Sequence, residues 1–281
     1  MLRQVIAVTT VAVALGGCAA VVPAVPADTP SAAPVPSSSP DGRLVGRGLV
    51  LDDGSGPELC LGGVAESLPP QCGGPKLVGW SWPADAERAA GVTWVDAALL
   101  GTYDGHRFTV VRTLSNAETT RLFPAEEMPD FATPCPEPAG GWVAPDLDRA
   151  TEDDQQRVFT AAEQLPGYAE SWLDDLGDSA QDPRKIVVNV RVTADPATAE
   201  RALRAVWGGS LCVTRADHSA AELRRIQTEL MRLPGALTSG AGQAPVDLTV
   251  TYDDGSLQAE LDERYGRGLV EVASALLPYQ E

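Results

Sequence analysis

The chain has 281 residues, 44% of them hydrophobic and 21% charged. That is enough apolar material to bury a core, and it excludes a wholly disordered protein. Acidic residues outnumber basic ones 39 to 21, a formal net charge of −18, which argues against nucleic acid and an anionic membrane surface as electrostatic partners. Two histidines leave little for zinc or di-metal chemistry, and five cysteines are an odd set for a disulfide-stapled protein.

Met1-Leu2-Arg3-Gln4 is a short basic start, followed by an apolar run over Val5–Leu15. The run is shorter than the ~20 apolar residues a bilayer span needs, and it suits the core of a secretory signal. Leu15-Gly16-Gly17-Cys18 then resembles the lipobox of bacterial lipoproteins. The resemblance implies a signal peptide over 1–17, cleavage before Cys18 and a diacylglyceryl group on the Cys18 sulfur. Two acyl chains give a stable lipid anchor where one binds only marginally. The expected location is therefore the extracytoplasmic face of the cell membrane. Residues 18–42, dominated by Pro, Ala and Ser, read as a disordered, partly extended tether. Abundant Ala and scarce Lys resemble an actinobacterial composition.

Residues 43–134 read as a small β domain. Strands are expected at Arg43–Leu51, Glu58–Val64, Lys76–Trp82, Thr93–Tyr103 and His106–Thr113, the last two flanking an Asp104-Gly105 hairpin signal. Five strands in this length predict a small antiparallel β-barrel, OB-like in type. Ser115-Asn116-Ala117-Glu118 is a capping box for one short helix. The stretch from Leu59-Cys60 through Pro69-Pro70-Gln71-Cys72-Gly73-Gly74 to Gly79-Trp80 resembles a pattern of uncharacterised exported actinobacterial proteins, and that resemblance brings no activity with it. No Cys-x-x-Cys pair is present, so Cys60 and Cys72 read as a structural disulfide rather than an exchange centre. Local pairing of Cys60 with Cys72 leaves Cys135 with Cys212, one of three connectivities that four cysteines allow.

Residues 135–182 are expected to be linker and helices: Thr151-Glu152-Asp153-Asp154 caps a helix, Pro166-Gly167 breaks it, and Tyr168–Leu176 resumes it. Asp174, Asp175, Asp178 and Asp182 lack the spacing of a calcium loop and read as a solvated acidic helix end. Residues 183–281 carry an internal repeat. Segments 188–216 and 246–274 align without a gap, with seven identities that include Val192/Val250, Thr193/Thr251, Leu203/Leu261 and Leu211/Leu269. Each copy reads as strand–helix–strand, since period-two alternation precedes a capped amphipathic helix. Asp253 is the candidate cap of the second helix, with an Asp254-Gly255 hairpin as the other reading. A helix opened by Ser219 separates the copies, and Gly240-Ala241-Gly242 is expected in a loop. The fold class is α+β: the barrel, then a ferredoxin-like α/β plait whose two βαβ units share one sheet.

Catalytic chemistry finds little support. His106 sits at a turn and His218 before a helix cap, and neither lies near a nucleophile motif. No Walker loop, dinucleotide fingerprint or zinc-protease motif occurs, and no cofactor is expected. Trp80 and Trp82, two apart on an expected strand, would share a face and could stack a flat ligand; packing over the barrel core is the simpler reading. The composite expectation is a lipid-anchored, non-catalytic binding module whose partner is an envelope protein or a cell-wall polymer. An exported hydrolase working through carboxylates is the alternative, and a transporter's solute-binding lipoprotein comes third.

Overall fold

From Gly42 onward, short apolar runs rich in Val and Leu are separated by turns rich in Gly, Asp and Pro. A computed structural model describes residues 42–65, 67–125, 130–177, 182–242 and 245–279; the signal segment, Cys18, most of the tether and Asp178 lie outside them. The first strands are β1 (Leu44–Asp52), β2 (Glu58–Cys60), β3 (Lys76–Val78), β4 (Glu87–Ala89), β5 (Val92–Tyr103) and β6 (Arg107–Thr113). β1, β2 and β3 follow one another antiparallel, β3 runs parallel to β6, β6 pairs antiparallel with β5, and β5 returns to β1. The ring closes as a five-stranded barrel, which removes free sheet edges. Leu44, Val50, Leu59, Leu77, Leu99 and Phe108 fill its interior.

All five expected strands are present. β2 and β3 stop short, before Gly62-Gly63 and at Gly79. β4 was not expected; it pairs with β5 through a two-residue turn at Ala90-Gly91. The helix α1 (Asn116–Leu122) opens with the reciprocal Ser115–Glu118 capping box.

The chain then forms α2 (Glu152–Glu163), β7 (Tyr168–Asp174), β8 (Val187–Val192), α3 (Pro196–Arg204) and β9 (Ser210–Arg215). It repeats the order as α4 (Ala220–Leu230), β10 (Ala236–Gly240), β11 (Val246–Val250), α5 (Ser256–Tyr265) and β12 (Val270–Ser274). Four expectations are corrected here. Tyr168–Leu176 is not a helix: its apolar residues suit either period, and antiparallel pairing with β8 settles it as strand. Gly240 ends a strand, β10, rather than sitting in a loop. The two units do not share one sheet; β7-β8-β9 and β10-β11-β12 are separate three-stranded sheets. The gapless alignment also fails by one residue, because Val192 pairs with Arg215 whereas Val250 pairs with Ser274.

The repeat itself is larger than expected, covering helix, strand, strand, helix and strand. Leu165-Pro166-Gly167 and Leu233-Pro234-Gly235 make the same turn, with both glycines at positive φ, 71° and 76°. Thr193 N donates to Gly167 O at 2.8 Å, as Thr251 N does to Gly235 O at 3.0 Å. Each copy carries a register shift one residue after this turn, between Tyr168 and Glu170 and between Ala236 and Thr238. Helices cover one face of each sheet: Val188, Val190 and Val192 pack with Val158, Ala162 and Leu203, and Val246, Leu248 and Val250 pack with Ile226, Leu230 and Leu261. α5 settles 253–266 as helix, but its N-cap is Gly255 rather than the expected Asp253, whose carboxylate still accepts from the amides of Leu257 and Gln258. A last strand, β13 (Leu276–Pro278), returns to the barrel and pairs with the start of β1.

Candidate functional site

The proline-rich segment before α2 does more than connect. Cys135 is disulfide-bonded to Cys212 of β9, with Cα atoms 5.8 Å apart. Upstream of it, Thr133 N donates to Asp174 Oδ2 at 2.7 Å, and Trp172 Nε1 donates to Phe131 O at 2.9 Å. Asn189, fully buried in the middle of β8, donates through Nδ2 to Thr133 Oγ1 at 3.2 Å. Residues 131–135 are thus fastened to all three strands, β7, β8 and β9, as a strap across the face that the helices leave open. Only the buried Asn189 Oδ1 lacks a partner in this network.

Where the strap meets the end of β7 and the first turn of α2, a groove of about 1050 Å³ opens. Phe131, Leu173 and Ile186 make its apolar floor, and Glu152, Asp153 and Asp175 stand around it with Gln155 and Gln156. Phe131 is 49% exposed and Leu173 36%, although the hydrogen bonds above hold their backbones in place. Asp174 is an anchor rather than a free acid. Partial burial pushes its carboxyl up, but the hydrogen bonds from Thr133 and Leu176 outweigh that, and it lies below the usual carboxylate range. Asp182 serves its own turn, accepting from Arg184 N and Nε.

The pattern is general. Among the described residues, each carboxylate displaced from its usual acidity is displaced downward. The proton donor of a carboxylate hydrolase needs the opposite shift. No group of His, Cys, Asp and Glu suited to a metal ion occurs among the described residues.

The other expected site residues are dispersed. Cys60 and Cys72 are disulfide-bonded, Cα atoms 5.7 Å apart, and the two disulfides together suit an oxidising, extracytoplasmic compartment. No described helix is long and apolar enough to cross a membrane. Trp80 and Trp82 lie beyond the end of β3, not on a strand. Their rings meet edge to face, centroids 5.7 Å apart at 84°, half-buried against the barrel core. They are not a coplanar pair. His106 is exposed in the β5–β6 turn, and His218 Nδ1 lies 3.2 Å from Glu222 at the start of α4. In comparisons with known proteins, no family model, no curated protein and no solved structure matches the chain.

Sequence reading missed the groove because its residues come from four separated segments, brought together by the β7–β8 pairing, the packing of α2 on β8 and the Cys135–Cys212 bridge. The usable signal was Cys135 itself, a cysteine outside any expected strand whose partner lies on one.

Proposed function

We propose that the chain is a lipid-anchored, non-catalytic binding module on the extracytoplasmic face of the cell membrane, and that the strap groove holds its partner. The observation that carries this reading is the presentation of Phe131 and Leu173: two apolar side chains stand exposed on firmly held backbone, beside the carboxylates of Glu152, Asp153 and Asp175. Exposed apolar surface in a polar frame is the usual make-up of an interaction site. The lipobox at Leu15–Cys18 supports the anchor. The barrel reads as OB-like, because a three-strand meander is closed by two further strands with β3 parallel to β6. That fold hosts many functions and does not choose among them.

Two measurements test the reading. Wild type should fractionate with membranes and Cys18→Ala should not; equal partition of the two would remove the anchor. A photo-crosslinking residue at Leu173, in intact cells, should give an adduct of one defined mass that Phe131→Ala reduces. The same residue at Leu68, an 81% exposed position on the Cys60–Cys72 loop, is the control. Identical adducts at both positions, or none at Leu173, would reject the groove.

A further inference from the structure

Resting on that reading, we propose that the groove takes an extended peptide segment in which a Lys or Arg stands beside an apolar side chain. The groove offers three kinds of surface at once, and each selects part of this occupant. Phe131 and Leu173 supply an apolar floor. A lysine or arginine stem lies well on such a floor while its charged end stays in water, and a cation over a phenyl ring gains further attraction. Glu152, Asp153 and Asp175 meet that charged end. The neighbouring guanidinium groups of Arg157 and Arg184 are turned to Asp154 and Asp182, not to these three. Gln155 and Gln156 each carry an amide that both donates and accepts, which matches the alternating groups of a peptide backbone.

Other occupants use less of the site. A bare metal ion has no use for the apolar floor. A small polyamine only donates and would leave the glutamine N–H groups without acceptors, and an acidic polymer would face repulsion from a chain of net charge −18. The groove is open rather than enclosed, so a segment can lie along it without its ends being buried.

The test uses the full chain carrying Cys18→Ala and a fluorescein-labelled peptide of alternating Lys, Leu and Ala, read by anisotropy. One comparison peptide has Glu for Lys, and another has Ala for Leu. The Lys–Leu peptide should bind at least tenfold tighter than either. Phe131→Ala and the pair Asp153→Asn/Asp175→Asn should each weaken it at least fivefold. Glu271→Gln, an exposed acid on β12, should leave it unchanged. Raising salt from about 50 to 500 mM should weaken binding to wild type more than to the Asp153→Asn/Asp175→Asn protein. Equal binding of all three peptides, or equal loss in Glu271→Gln, would overturn the proposal as unspecific charge attraction. Unchanged melting temperatures in the variants confine the effect to binding. If Leu173 still crosslinks a partner in cells while no peptide binds, the occupant is wrong and the groove stands; if both fail, the functional reading fails with it.

Discussion

Alanine at the glycine of each Leu-Pro-Gly turn should separate what the two copies share from what they do not. Gly167 and Gly235 both sit in the left-handed region, and a side chain there costs about 1–2 kcal/mol. Around Gly235 a new Cβ meets only Thr251 Oγ1, at 3.9 Å, so the backbone cost is the whole cost. At Gly167 it falls well inside contact distance of Thr193 Oγ1 and 3.1 Å from Ala194 N. Thr193 must leave its rotamer or the turn must shift, which adds about 1–2 kcal/mol. The expected destabilisation is therefore about 1–2 kcal/mol for Gly235→Ala and about 2–4 kcal/mol for Gly167→Ala. On a Thr193→Ala background the second value should fall most of the way toward the first, since the closest atom is gone and only Ala194 N, at 3.1 Å, still crowds the new Cβ. Urea unfolding with disulfides intact, followed by circular dichroism at constant slope, reads these differences as midpoint shifts. Equal shifts for the two glycines, or a Gly167→Ala cost that Thr193→Ala leaves untouched, would refute the contact reasoning.

Three other outcomes are expected. Ala90 holds φ 50° in the two-residue β4–β5 turn, where Asn-Gly is the favoured pair, so Ala90→Asn should stabilise by about 0.5–1 kcal/mol in thermal melts. Serine for both Cys135 and Cys212 should cost about 4.5 kcal/mol, against about 3 kcal/mol for Cys60 and Cys72, because the first bridge closes the longer loop, 77 residues against 12; comparable losses in urea unfolding would contradict this. Glu118 is held down to about 2, first by its hydrogen bonds with Arg112 and then by those from Ser115. A depressed carboxyl contributes stability that is complete above its unfolded value near 4.5 and lost as pH falls through 2. The melting-temperature gap between wild type and Glu118→Gln should therefore be constant above about pH 5 and close toward pH 2; a gap that widens in acid would reverse the assignment.

The barrel was legible because its strands are local patterns: Leu44–Asp52 and Val92–Tyr103 are largely apolar runs bounded by turn residues, and Asp104-Gly105 marks a hairpin. β4 was not, since three residues and an Ala-Gly turn fall below what alternation can signal. β7 and β10 share another cause. Each becomes a strand through pairing with the strand that follows it, at a turn whose shared Leu-Pro-Gly reads only as a helix stop until the two copies are compared. The helix of α5 was legible from Leu257 and Leu261, which both face the core of the second copy.

The two middle strands hold a second clue to the groove, beside Cys135. β11 reads Val-Asp-Leu-Thr-Val, and its burial alternates with it: Asp247 is exposed and Thr249 half-buried on the face without helices. β8 reads Val-Val-Asn-Val-Arg-Val, and Val187 and Asn189, on the corresponding face, are both fully buried. A repeat that keeps its helix-facing valines but trades an exposed acid for a buried amide has something lying across its other side. Asn189 then needs a partner from outside its own sheet. Thr133 supplies it, Cys135 holds the segment there, and Phe131, just ahead of them, is carried out over the end of β7. Among the described residues, the groove thus belongs to the first copy, the one whose open face carries a strap.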